Sequence, residues 1–186
     1  MKVRAQWAFA ALALASLLVT ALAVAKEIAF GASDIPTTFY ISKSDDHNRV
    51  DYGMRLNAQC APINNDAVFP YWRQFEHSPP VRTEPLGIFE YLGYGISDQH
   101  LVRAGKPDAA YLVRLKQFKQ RPVWITTKRD DSGHCQALVR CQIGSVPFAQ
   151  LNSIYLKLAG PMSVEYIVLK GRNIKTDQLV EERINR

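Results

Sequence analysis

Histidine and cysteine are scarce in this sequence, at four and three residues, and their spacing excludes more chemistry than it offers. His47, His77, His100 and His134 are scattered, with none of the short ligand spacings of a structural or protease zinc site. A calcium loop also fails, because alternating ligands from Asp45 fall next on His47 and Arg49, neither of which suits a hard cation. No serine sits in a glycine-flanked elbow, and no serine-x-x-lysine pair occurs. Ser42-Lys43-Ser44 puts the lysine on the opposite face from both serines if the strand continues. There is no internal repeat and no low-complexity tract. No metal, cofactor or catalytic residue is assigned.

A strong charge of one sign is missing too. Lys and Arg number 23 against 17 Asp and Glu, and acids sit beside the bases, as in Lys128-Arg129-Asp130-Asp131. That composition makes a mixed solvated surface and not a phosphate-tracking stripe, so nucleic acid is not an expected partner. The one long apolar run, from Trp7 to Leu22, is too short to span a bilayer comfortably. It follows Lys2 and Arg4 and ends in Ala23-Val24-Ala25 before Lys26-Glu27, the pattern of a cleavable secretory signal peptide over residues 1–25. The alternative is an uncleaved anchor. No cysteine follows the run, which argues against lipid attachment. The expected location is outside the cytoplasm, periplasmic or secreted, with no transmembrane anchor after cleavage. Roughly 160 residues then remain, enough for one domain that buries about 70% of its unfolded surface.

All three cysteines, Cys60, Cys135 and Cys141, lie beyond the leader, and an oxidising compartment favours one pair. Cys135 and Cys141 are about 20 Å apart in an extended strand, too far to bond. Cys141 shares the apolar side of that strand with Ala137, Val139 and Ile143 and reads as a buried free thiol. Cys60 with Cys135 is the pairing that remains.

Residues 26–36 read as a tether. Thr37 to Ile41 is a good opening strand, and Val50, Tyr52, Met54 and Leu56 then alternate with polar residues, which suggests a hairpin. Pro70 assigns the aromatic stretch from Val68 to Phe75 to an edge or bulge. One helix is expected near residues 84–93, with Thr83 as N-cap and Pro85 in the first turn. Strands are expected at 110–118, 123–128, 136–143, 154–158 and 164–170, with short connections that favour antiparallel neighbours. The tail from Gly171 reads as a last strand including Leu179-Val180, or else as a helix capped near Thr176. The sum, over residues 37–185, is one mainly antiparallel all-β domain, a sandwich or barrel with one short helix.

Three segments together carry a resemblance. They are Phe39-Tyr40-Ile41-Ser42-Lys43-Ser44 leading to His47-Asn48-Arg49-Val50-Asp51-Tyr52-Gly53, then Tyr71-Trp72-Arg73, then Thr83-Glu84-Pro85-Leu86 running to Tyr94-Gly95. They resemble an uncharacterised family of exported bacterial domains, the domain of unknown function 4833, over roughly residues 37–185. The resemblance implies export and supplies no activity, cofactor or catalytic residue. Ser132-Gly133-His134-Cys135 holds the residue types of the serine-histidine-glycine-cysteine run of L,D-transpeptidases, but in scrambled order. The nearest upstream histidine is His100, too distant in sequence for the activating base that run needs. A hairpin turn with Cys135 in a disulfide explains the same residues.

The densest polar cluster is Ser42, Lys43, Ser44, Asp45, Asp46, His47, Asn48, Arg49 and Asp51. It reads either as a ligand loop or as a solvated tip whose Asp and Asn side chains satisfy turn backbone. Tyr71, Trp72 and Arg73 sit in an aromatic run that lines a groove or forms core with one wet edge. Arg49 and Arg73 gain meaning if their strands are adjacent, because paired arginines grip carboxylate or phosphate in a fork. The expected function is binding of a small polar or anionic ligand, or of an envelope protein, through the 42–51 loop and the 71–73 segment. One alternative is an envelope hydrolase or transferase using His47 with a carboxylate, or Cys135 as nucleophile. The other is a structural module without a ligand site, whose polar loop charges are unpaired.

Overall fold

The computed structural model describes residues 37–63, 66–75, 81–102, 110–160 and 163–186. All of them fall in the second of two units, Ile35–Arg186. The signal-peptide and tether assignments lie outside the described residues. No helix among the described residues is long and apolar enough to cross a membrane.

The strands are β1 (Thr37–Lys43), β2 (Arg49–Met54), β3 (Val68–Gln74), β4 (Arg82–Pro85), β5 (Ile96–Val102), β6 (Ala110–Leu115), β7 (Val123–Arg129), β8 (Cys135–Ile143), β9 (Val146–Gly160), β10 (Ser163–Arg172) and β11 (Leu179–Asn185). One helix, α1 (Ile88–Tyr94), precedes β5, and a 3-10 turn, Lys116–Phe118, follows β6. The strand order is β4-β3-β2-β1-β9-β8-β7-β6-β5, with β10 and β11 branching from β9. This is a single mainly antiparallel β fold, as the alternating pattern implies.

The exception to the antiparallel rule is β1 with β9, which run parallel. Short connections govern only neighbours in sequence, whereas β1 and β9 meet across most of the chain, where either direction is open. β9 is also far longer than residues 154–158. Its first part pairs β8 and its second part pairs β1, while β10 runs along it from Gln150 to Gly160. Burial moves from Ala149, Leu151 and Ser153 to Ile154 and Leu156, and this change of face hides the strand from a search for strict alternation.

The helix begins later than expected. Thr83 and Pro85 belong to β4, which pairs β3, and α1 starts after Gly87, whose backbone is extended. A residue preceding proline is disfavoured in the helical region, so Glu84 before Pro85 suits a strand end better than a first helical turn. β4 and β5 were not anticipated. Both are exposed edge strands, and β4 buries no side chain.

The core includes Phe39 and Ile41 of β1, Val50, Tyr52 and Met54 of β2, and Leu156 of β9. Phe39 and Tyr52 stack with ring centroids 4.4 Å apart. The Tyr52 hydroxyl donates a 2.5 Å hydrogen bond to the carbonyl of Tyr94, fastening the end of α1 to the core. Burial holds the Tyr52 phenol well above its ordinary pKa.

The sheet path ends at β5 on one side and reaches β4 beyond β3 on the other, without closing. Where β3 and β5 approach, the Gln99 side chain accepts from Val68 N at 3.1 Å and donates to Val68 O at 3.1 Å. The Cys60–Cys135 disulfide joins the β2–β3 connection to the start of β8. Cys141 is the buried free thiol, and desolvation pushes its pKa to about 12.

Candidate functional site

Residues directly opposite on paired strands share a face, so register sorts the polar cluster into two sides. Ser42 faces Arg49 and Arg49 faces Arg73, while Tyr40 faces Asp51 and Asp51 faces Tyr71. These six residues therefore lie on the face away from the core. Lys43 follows Phe39 and Ile41 on the inner face of β1, and Trp72 faces Val50. Tyr71 and Trp72, neighbours in sequence, point to opposite sides.

On the outer face Asp51 is fully buried. Its carboxylate accepts from Thr37 Oγ1 at 2.7 Å and from Arg49 Nε at 2.6 Å and Nη2 at 3.3 Å. Arg73 Nε lies 2.6 Å from Asp51 Oδ2, but its N–H is not aimed along that line and finds no hydrogen-bond acceptor. Arg73 Nη2 instead reaches Thr37 Oγ1 and the Tyr71 hydroxyl, each at 3.2 Å. The Arg49 guanidinium lies 4.2 Å from the Tyr40 ring centroid and 5.2 Å from that of Phe75, a stacking arrangement open to arginine. Two guanidiniums thus share one carboxylate and leave one positive charge over. A buried carboxylate requires such pairing, and removing one partner from an ion pair of this kind costs about 3–5 kcal/mol.

The loop between β1 and β2 is tied down by its own side chains. Asn48 N donates to Asp46 Oδ1 at 2.8 Å, and Asn48 Oδ1 accepts from Phe75 N at 2.9 Å. Lys43 pairs with Asp46 at 2.9 Å. Ser44 is buried, its hydroxyl accepting from Leu158 N at 3.1 Å. Asp45 takes φ of 61°, a left-handed conformation that aspartate tolerates. The Asx contact is what a solvated turn requires, and Lys43 is paired with Asp46 while Asp45 is exposed and forms no salt bridge among the described residues.

His47 is exposed and makes no hydrogen bond to a carboxylate among the described residues. Asp46 and Asp51 are committed elsewhere. The Cys135 sulfur is in a disulfide and is not available as a thiolate nucleophile. Among the described residues no group of three or more potential metal ligands comes together.

On the inner side, Lys43 lies 5.3 Å from the Trp72 ring centroid, and Trp72 meets Tyr94 edge-on at 5.9 Å. Beside them a cavity of about 290 Å³ opens between β1, β9, β10 and α1. Burial works against the charge of Lys43, but the hydrogen bond it donates to Asp46 and the fields of Tyr94, Asp46 and Glu90 outweigh it and raise its pKa. Glu90, Tyr94, Leu156 and Leu158 escaped the sequence reading because they lie far from Lys43 in the chain. The alternation of Tyr40 with Ser42 was the available sign of an outer-face aromatic.

The fold and site define a disulfide-pinned β domain with an arginine pair on one side of its sheet and an apolar cavity on the other. The model of a family described as a domain of unknown function (DUF4833) matches residues 39–183, and the chain belongs to that family. No curated protein and no solved structure matches it.

Proposed function

We propose that this protein is an exported, non-catalytic domain that binds a small anionic ligand on the outer face of β2 and β3. The observation that carries this reading is Arg49 standing directly opposite Arg73 with a single carboxylate between them. Their side chains remain 29% and 27% exposed, and the Nη1 groups of both have no described hydrogen bond. A carboxylate or phosphate oxygen takes those donors while Tyr40 and Phe75 flank it, and Asp51 keeps both forks in place before the ligand arrives. His47 of the neighbouring loop is exposed beside the approach. The leader pattern and the disulfide support the extracytoplasmic setting.

Titration of the purified chain with inorganic phosphate and acetate, followed by calorimetry and thermal shift, tests the reading. Arg49→Lys and Arg73→Lys keep the charge but lose the fork, and each is expected to weaken binding about tenfold. Alanine at His47 is expected to weaken it less. The reading fails if neither anion stabilises the chain, or if both lysine variants bind as wild type does.

A further inference from the structure

The cavity beneath α1 carries a different recognition chemistry from the arginine face. Its walls are Leu156 and Leu158 of β9, Val164 of β10, and Phe89 and Leu92 of α1. α1 has no buried residue. Phe89 is 79% exposed and Leu92 60%, although both also line the cavity. A largely apolar helix thus roofs a largely apolar space that no described side chain fills. The volume is at the low end for small-molecule sites and suits a ligand of roughly a dozen heavy atoms.

Charge at the mouth decides the class of ligand. Lys43 reaches the cavity, but Asp46 neutralises it at 2.9 Å. Glu90 also lines the cavity and forms no salt bridge among the described residues. The local sum is therefore one negative charge, and an anionic head would meet two carboxylates and a lysine already paired. A cation meets Glu90 beside the aromatic residues Phe89 and Tyr94, which also line the cavity.

We propose that this cavity binds a small organic cation, an alkyl or arylalkyl ammonium, with its charged end at Glu90 and its apolar body against Leu156, Leu158 and Val164. Recognition combines burial of the apolar body with one charge contact at Glu90. Nothing in it depends on Arg49 or Arg73, so the two sites stand or fall separately.

The test titrates the purified chain with three probes of one shape, 4-phenylbutylamine, 4-phenylbutanol and 4-phenylbutanoate, and follows binding by NMR and calorimetry. The amine is expected to bind about tenfold tighter than the alcohol, with the carboxylate weakest. Shifts are expected at Phe89, Leu92 and Leu158. Glu90→Gln, a change on the protein surface, is expected to erase the preference for amine over alcohol. Leu158→Trp is expected to fill the space and abolish binding of all three, while Arg49→Lys leaves it unchanged. Carboxylate binding equal to or tighter than amine binding overturns the proposal. So does an unchanged preference in Glu90→Gln, or no binding by any probe to a folded chain.

Discussion

The side-chain amide of Gln99 hydrogen-bonds both the N–H and the C=O of Val68, each at 3.1 Å. β3 and β5 share no backbone pairing in the described sheet, and this amide substitutes for one rung of it. Val68 is only 1% exposed, so water does not readily replace the bond. Gln99→Leu is expected to lower stability by about 1–3 kcal/mol, the cost of leaving buried polar groups unpaired. Urea unfolding of the variant checks this, and wild-type stability would show that the bridge contributes nothing.

The disulfide joins residues separated by 75 positions. Closing a loop of that length removes unfolded-state entropy worth about 4 kcal/mol in the chain-entropy account. A Cys60→Ala, Cys135→Ala double variant is expected to unfold at markedly lower denaturant. In the native protein, alkylation followed by non-reduced digestion should recover the 60–135 peptide pair. Cys141, buried and pushed to about 12, is expected to remain unmodified until unfolding.

Glu182 gives a pH dependence of defined sign. The hydrogen bond from Arg121 lowers its pKa, assisted by Gly144 N and opposed by burial. A carboxylate with a depressed folded pKa contributes stability that is present above its unfolded value, near 4.5, and is lost as pH falls through the folded value. The chain is therefore expected to lose stability as pH falls below about 4.5. Glu182→Gln should flatten that slope while leaving the neutral-pH fold intact. An identical slope in the variant would assign the loss to other groups.

At Gly171, β10 leaves no room for a side chain against β9. A Cβ at this position would lie 2.2 Å from the Gln150 carbonyl oxygen and 2.6 Å from Ile143 Cδ1. The backbone contact cannot yield as a flexible side chain does. Gly171→Ala is expected to destabilise the domain by about 1–3 kcal/mol through overpacking, whereas alanine at Gly93, where no atom lies within 4 Å, should not. Thermal denaturation of the two variants side by side separates crowding from any general effect of losing glycine.

Strand identity was legible wherever one face is buried and the period of two is regular. Val50, Tyr52 and Met54 announced β2, and the odd positions from Ala137 to Ile143 announced β8 and the buried thiol. The β class, a short helix before β5 and the Cys60–Cys135 pair followed from alternation, turn residues and reach along an extended strand. β4 and β5 were not legible, because edge strands with exposed side chains carry little alternation. The first half of β9 was hidden by its change of face.

For the candidate site the same division holds. Local sequence determined that Arg49 and Asp51 share a side, that Lys43 lies on the side of Phe39 and Ile41, and that Arg73 is paired in parity with Tyr71. Only the tertiary structure decided that Arg49 stands against Arg73, that Asp51 is buried between them, and that Lys43 opens onto a cavity with Glu90. Side-chain parity is a property of one strand's own geometry, but partnership depends on register between strands and on which distant segments the core brings together.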